Sequence, residues 1–172
     1  YVLGAIYAGL SKYEEAITSY NKALVLKPDY AEAYSNLGVT LNGLGRLDEA
    51  EASYRQAITF KPHYAEAHSN LGVTLKELGR LDEAEASYTQ ALALKPDYAE
   101  AFNNLGNTLN ELGNLKEAIT HLNKAIELKP NFAEAHANLG VSLSYLKADK
   151  FSEALAKNYL DVLDFGTVVR PS

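Results

Sequence analysis

The chain has no cysteine and no methionine, and its basic residues are outnumbered: 16 Lys and Arg stand against 22 Asp and Glu, a formal net charge of −6. Without cysteine there is no disulfide framework, no thiol nucleophile and no thiolate metal site. That composition is compatible with any compartment and leans slightly to a reducing one, so a cytoplasmic location is the expectation. The acidic balance, with a pI near 5.2, argues against the broad basic surface that nucleic acid or an anionic membrane needs. No hydrophobic run approaches membrane-spanning length. The missing methionine, even at position 1, gives the expectation of a piece cut from a longer chain.

What the chain has is a repeat. Ala65 to Tyr98 reads AEAHSNLGVTLKELGRLDEAEASYTQALALKPDY, and close copies run from Ala31 to Tyr64 and from Ala99 to Phe132. The period of roughly 34 residues means stacked supersecondary units, each burying its apolar face against its neighbours. Leu71, Leu75 and Leu78 fall at helical spacing, and Gly79 just beyond them suits a left-handed helix end. A second apolar series follows at Leu81, Ala84, Tyr88, Ala91 and Leu92. It closes at Lys95 and Pro96, a cation at the negative helix end and a residue that cannot continue the helix. Each unit is thus two helices around a tight turn.

These residues resemble the tetratricopeptide repeat family. The pattern is carried by Leu37-Gly38, Ala50, Tyr54 and Pro62; by Leu71-Gly72, Ala84, Tyr88 and Pro96; and by Leu105-Gly106, Ala118, Leu122 and Pro130. The family's opening tryptophan is replaced by Tyr34, His68, Phe102 and His136, each a large planar side chain. The resemblance implies an all-α, right-handed superhelical solenoid of antiparallel helix pairs.

The units divide the chain into 1–30, a first repeat begun inside its first helix, with Ser11 in the turn glycine's place; 31–64; 65–98; 99–132; 133–165, a degenerate fifth repeat or capping helix; and 166–172, a tail or a linker to a further domain. In the fifth unit the segment LKADKFSEAL needs about two extra residues before Phe151 and Ala154 match the repeat. Phe151, Ala154, Leu155, Tyr159, Val162 and Leu163 still form a helical stripe that suits a cap on the stack. The expected break in helix falls after Gly166.

Two local features are read as structural. Asp29 with Glu32, Asp97 with Glu100, and Asn131 with Glu134 have capping-box spacing, with a weaker cap where His63 precedes Glu66. Gly38, Gly72, Gly106 and Gly140 sit inside helices at a cost near 1 kcal/mol each relative to alanine. Close approach of the partner helix, through its small Ala50, Ala84 and Ala118, is the expected compensation. Tyr20, Tyr54 and Tyr88 are core spacers.

Catalytic chemistry finds no constellation. His63, His68, His121 and His136 are scattered without metal-ligand spacing, so no metal is expected. The pairs Asp48-Glu49 and Asp82-Glu83 lie in a first helical turn, where negative charge is favourable. Every glycine falls at a repeat position, so no phosphate-cradling loop exists, and neither an enzyme nor a cofactor is expected.

In the resembled family the first helix of each pair lines a concave groove that binds peptides. Because Leu71, Gly72 and Leu75 point to the core, the displaced positions Glu66, Ser69, Asn70, Val73, Lys76 and Glu77 are expected to face that groove. Their equivalents are Glu32, Ser35, Asn36, Val39 and Asn42; then Glu100, Asn103, Asn104, Asn107, Asn110 and Glu111; then Glu134, Ala137, Asn138, Val141, Ser144 and Tyr145. Asn36, Asn70, Asn104 and Asn138 recur just before Leu-Gly in four successive units. An amide both donates and accepts, so it can pair with an extended peptide backbone; it can equally bond a neighbouring helix or be copied by duplication. The row is similar to the asparagine ladder in the repeat arm of O-linked N-acetylglucosaminyltransferases.

Family members that hold chaperone C-termini use basic clamp residues early in the groove helices. The matching positions here are Ser35, Asn36, Ser69, Asn70, Asn103, Asn104, Ala137 and Asn138, none basic. The glutamates edging the groove favour neutral or basic peptides. The expected function is a non-catalytic protein-interaction scaffold. The alternatives are the substrate-recruiting arm of a larger enzyme, such as a glycosyltransferase, and a spacer or superhelix that associates weakly through its exposed ends.

Overall fold

The computed structural model describes the backbone of residues 1–168 and the side chains of residues 1–154. Nine helices run through the described residues, with no strand: α1 (Val2–Gly9), α2 (Tyr13–Leu26), α3 (Ala31–Gly43), α4 (Leu47–Phe60), α5 (Ala65–Glu77), α6 (Leu81–Leu94), α7 (Ala99–Glu111), α8 (Leu115–Leu128) and α9 (Ala133–Val168). The first eight form four antiparallel pairs. Each pair packs onto the next through its second helix, so α2 meets α3, α4 meets α5 and α6 meets α7. The result is an all-α solenoid.

The turn within each pair is made as its glycine suggests. Gly45, Gly79 and Gly113 have φ of 72°, 76° and 80°, in the left-handed region, and Ser11 adopts φ 58° at the same place in the first pair. At α5 the Gly79 N–H donates to Lys76 O at 2.9 Å and the Arg80 N–H to Leu75 O at 2.9 Å, satisfying carbonyls the helix end leaves open.

The glycines inside the helices have a different partner from the one expected. A Cβ on Gly38 or Gly72 would lie 2.7 Å from the ring of Tyr54 or Tyr88, and on Gly106 2.5 Å from Leu122. The large side chain of the second helix lies flat on the glycine, more than the small alanines approach it. Tyr20, Tyr54 and Tyr88 are accordingly 1, 2 and 0% exposed.

The capping boxes are absent. Helices α3, α5 and α7 begin one residue later than a box requires, with Tyr30, Tyr64 and Tyr98 at the N-cap and no side-chain cap bond, and α9 likewise begins at Ala133. The glutamates are recruited elsewhere: Lys61 Nζ reaches Glu32 at 2.8 Å, Lys95 reaches Glu66 at 3.4 Å and Lys129 reaches Glu100 at 3.0 Å. Each lysine also lies over the aromatic ring three residues on, 4.4 to 4.5 Å from Tyr64, Tyr98 or Phe132. Hydrogen bonds from Lys61 and Lys129 hold the Glu32 and Glu100 carboxyls below the usual carboxylate range.

The fifth unit is not a helix pair. Helix α9 runs unbroken for 36 residues, through LKADKFSEAL, where the repeat pattern slips, and past Gly166, where the helix was expected to end. Lys147 stands where Gly113 turns the previous unit, and the run Lys147-Ala148-Asp149-Lys150 holds no glycine or proline and three good helix formers, a composition that lets the helix continue. Residues 169–172, most of the expected tail, lie outside the described residues, as do the side chains of Leu155, Tyr159, Val162 and Leu163.

Candidate functional site: the face of the first helices

Successive first helices touch one another directly. Asn42 Nδ2 on α3 donates to Thr74 Oγ1 at 3.1 Å and to Glu77 Oε2 at 2.7 Å on α5. Lys76 Nζ pairs with Glu111 on α7 at 2.9 Å. Ser142 Oγ on α9 donates to Asn110 Oδ1 at 2.7 Å. The second helices are linked across a wider gap by long side chains, as in Arg55 to Glu83 at 3.5 Å. An array closer on one side than the other curves toward the closer side, so α1, α3, α5, α7 and the start of α9 line its concave face.

This packing buries more of each first helix than its leucine stripe suggests. Ser35 and Ser69 are 3% exposed and Asn103 1%. These three were expected to face the groove and are instead buried, Asn103 against Asn138 of the neighbouring first helix. The seam between neighbouring first helices holds a second row that the sequence reading missed: Thr40, Thr74, Thr108 and Ser142, all 3% exposed or less. Each threonine hydroxyl donates to the carbonyl four residues back, that of Asn36, Asn70 or Asn104, at 2.9 to 3.1 Å, and Ser142 Oγ, whose proton goes to Asn110 Oδ1, lies 3.0 Å from the Asn138 carbonyl. Its signal was the same period, in Val-Thr-Leu, Asn-Thr-Leu and Val-Ser-Leu.

What remains open is a strip with an apolar floor and amide edges. Val39 and Val141 are 50 and 44% exposed, with Val73 and Asn107 half-buried between them. The asparagine row lies alongside, each member half-buried, and its members are not equivalent. Asn36 Nδ2 donates to Tyr1 Oη at 2.9 Å and Asn138 Nδ2 to Asn103 Oδ1 at 2.9 Å, while Asn104 Oδ1 accepts from Asn103 at 3.4 Å. The Asn70 side chain has no such bond among the described residues. Asn70 is therefore the amide most available to a ligand, and Asn138 is committed to the neighbouring helix.

Most charge along the strip is compensated. Glu111 is paired with Lys76, and Glu32, Glu66 and Glu100 are paired with lysines, while Glu77 keeps its charge and accepts from the neutral Asn42 amide. The groove is less acidic than a count of its glutamates implies. No early groove position carries a cation.

Several titratable groups outside the strip are held by local contacts. His68 and His136 place Nε2 3.0 and 2.9 Å from the carbonyls of Pro62 and Pro130. His121 stacks on Phe102 with ring centres 5.8 Å apart, and burial holds it below the usual imidazole range. Glu49 is bound by Arg46 at 2.7 Å. No group of three metal-ligating side chains occurs among the described residues, and no described helix is long and apolar enough to cross a membrane.

A solenoid of helix pairs, each locked by an aromatic or leucine side chain on a glycine, defines a helical-repeat scaffold. The TPR repeat profile matches residues 4–45, 41–79, 74–113 and 106–146, and the chain belongs to that family. Among solved structures, MamA is 25% identical with a TM-score of 0.79, covering 93% of this chain and 96% of its own. YrrB, described as a TPR protein with an unusual peptide-binding site, is 26% identical with a TM-score of 0.72, covering 84% of this chain and 74% of its own. The first TPR of Spaghetti (RPAP3), solved with the HSP90 peptide SRMEEVD, is 26% identical with a TM-score of 0.67, covering 68% and 93%. No curated protein sequence matches the chain. None of these matches is to a catalytic family.

Proposed function

We propose that the chain is a non-catalytic interaction scaffold whose concave strip holds an extended peptide segment. The observation that carries this is the repetition, on successive first helices, of an exposed or half-exposed side chain, valine or asparagine, beside a half-buried amide. An extended chain offers backbone donors and acceptors at regular intervals along its length. Asn70 and Asn107 suit those groups, and Val39 and Val73 suit an apolar side chain between them. The peptide-binding TPR structures that resemble this chain support the reading.

The preferred segment is neutral or basic. SRMEEVD, the peptide bound by the RPAP3 repeat, ends in acidic residues, and a groove holding it needs cations that Ser35, Asn36, Ser69, Asn70, Asn103 and Asn104 do not provide. The only cation on the strip among the described residues, Lys76, is already paired with Glu111. Micromolar binding of a free acidic C-terminal peptide contradicts this preference.

A diverse peptide array tests the proposal, probed with the native chain and with Asn70→Ala/Asn107→Ala. Both must first show equal helicity and melting. Sequence-tolerant binding that falls tenfold or more in the variant supports a backbone-reading strip. Equal binding by both places recognition on another surface.

A further inference from the structure

The planar side chain near the start of each first helix is covered by a second ring in two units and left bare in the unit between them. Tyr34 on α3 is stacked by Phe60 of α4, with ring centres 5.7 Å apart and planes 19° from parallel. Phe102 on α7 is stacked by His121 of α8 at 5.8 Å and 26°. His68 holds the same register on α5, but α6 has Ser87 where α8 has His121, and Leu94 where α4 has Phe60. Among the described residues no ring stacks on His68.

The bare ring borders a groove between the second helices α4 and α6. This cavity of about 440 Å³ is lined by Arg55 and Ile58 on α4, His68 and Leu71 on α5, and Ser87 and Gln90 on α6. Its volume falls within the range of about 300–1,000 Å³ that small-ligand sites occupy. The ring is preset: His68 Nε2 lies 3.0 Å from the Pro62 carbonyl, which can only accept, so Nε2 carries the hydrogen and the plane is held. Ser87 leaves the space open, since its hydroxyl donates back to the Glu83 carbonyl at 2.9 Å. Arg55, tethered to Glu51 at 2.8 Å, puts a cation at the groove, and a guanidinium is attracted to the face of an aromatic ring.

We propose that this groove is a second binding site, which takes an aromatic side chain of a partner protein and stacks it on His68. The choice of occupant follows from the neighbouring units, where the chain itself supplies a ring to the equivalent side chain. Apolar walls at Ile58 and Leu71 suit the edge of such a ring, and the Gln90 amide offers a donor and an acceptor to the backbone that carries it. The groove opens between second helices, away from the concave strip. A peptide without aromatic residues can therefore occupy the strip and leave Ala86 and Gln90 unmoved, so the two sites are read separately.

The test titrates the isotope-labelled full chain with N-acetyl-tryptophanamide, and with N-acetyl-leucinamide as the control. Saturable shifts at Ile58, Ser87 and Gln90 are expected, with a dissociation constant on the order of millimolar for one isolated ring and tenfold or more weaker binding of the leucine compound. Ser87→His, which copies the residue at 121, is expected to cover His68 and weaken binding of the tryptophan compound tenfold or more. His121→Ser uncovers Phe102 and is expected to gain a second set of shifts, at Leu92 and Phe102. This variant keeps the test open if Ser87→His fails to match the native helicity and melting. No saturable binding by the native chain, equal binding of the leucine compound, undiminished binding by a folded Ser87→His, or no gain in a folded His121→Ser overturns the proposal.

Discussion

The ring of Tyr88 occupies the space a methyl group on Gly72 would need, with Cε1 only 2.7 Å from the ideal Cβ position. Tyr88 is fully buried and has no room to yield. Gly72→Ala is therefore expected to destabilise the array by about 1–3 kcal/mol through overpacking, even after the better helix propensity of alanine is counted. Gly43 ends α3 with nothing within 4 Å, so Gly43→Ala is expected to stabilise by up to about 1 kcal/mol. Urea melts of the two variants, opposite in sign, check the glycine–tyrosine lock.

Alkaline pH reads the same tyrosines. Burial, with a smaller push from the charge of Glu77, lifts the phenols of Tyr54 and Tyr88 well above the usual tyrosine range. The unfolded chain then loses these protons first. Stability is expected to be fully present below about pH 10, the ordinary tyrosine value, and to fall above it by up to about 1.4 kcal/mol per pH unit for each ring. Chemical denaturation from about one pH unit below that value to about one above it checks this. Tyr54→Phe/Tyr88→Phe should flatten the fall.

Asn138 and Asn70 share a repeat position but not a role. Asn138→Ala removes the donor to Asn103 Oδ1, a group on a side chain 1% exposed, and is expected to cost about 1–3 kcal/mol. Asn70→Ala loses no such bond and should stay within about 0.5 kcal/mol of the native chain. Adding Asn103→Ser, the residue found at Ser35 and Ser69, to Asn138→Ala should recover part of the loss. Thermal melts of the three variants measure this without any ligand.

Acid acts on Glu51. Its own burial favours the neutral carboxyl, but Arg55 and Arg80 donate to it at 2.9 and 2.7 Å and together hold it below the usual carboxylate range. The stability it contributes is present above the ordinary glutamate value, about 4.3, and is lost as pH falls through the lower folded one. Glu51→Gln is expected to lower stability at neutral pH by less than about 1 kcal/mol, less again in high salt, and to match the native chain in strong acid.

The period and its Leu-Gly, Ala and Pro punctuation made the four helix pairs readable, because each element answers to residues within its own 34-residue unit. Three features were not readable, the first two because a distant residue decides them. Glu32 has capping-box spacing, but Lys61, 29 residues on, takes its carboxylate. Ser35, Ser69 and Asn103 look like groove positions when only Leu71 and Leu75 define the core. The neighbouring first helix buries a second face that no single-helix periodicity contains. At Lys147 the loss of one turn glycine let α9 continue, and apolar spacing alone cannot tell a straight helix from a folded-back pair.

The concave strip itself is tested most directly by titrating the isotope-labelled chain with a neutral or basic peptide selected from the array and following amide and methyl resonances. Shifts at Val39, Asn70, Val73 and Asn107, with none at the exposed Ala52, Gln56, Ala86 and Gln90 of α4 and α6, are the expected result. Shifts confined to α4 and α6 would contradict a peptide site on the first helices.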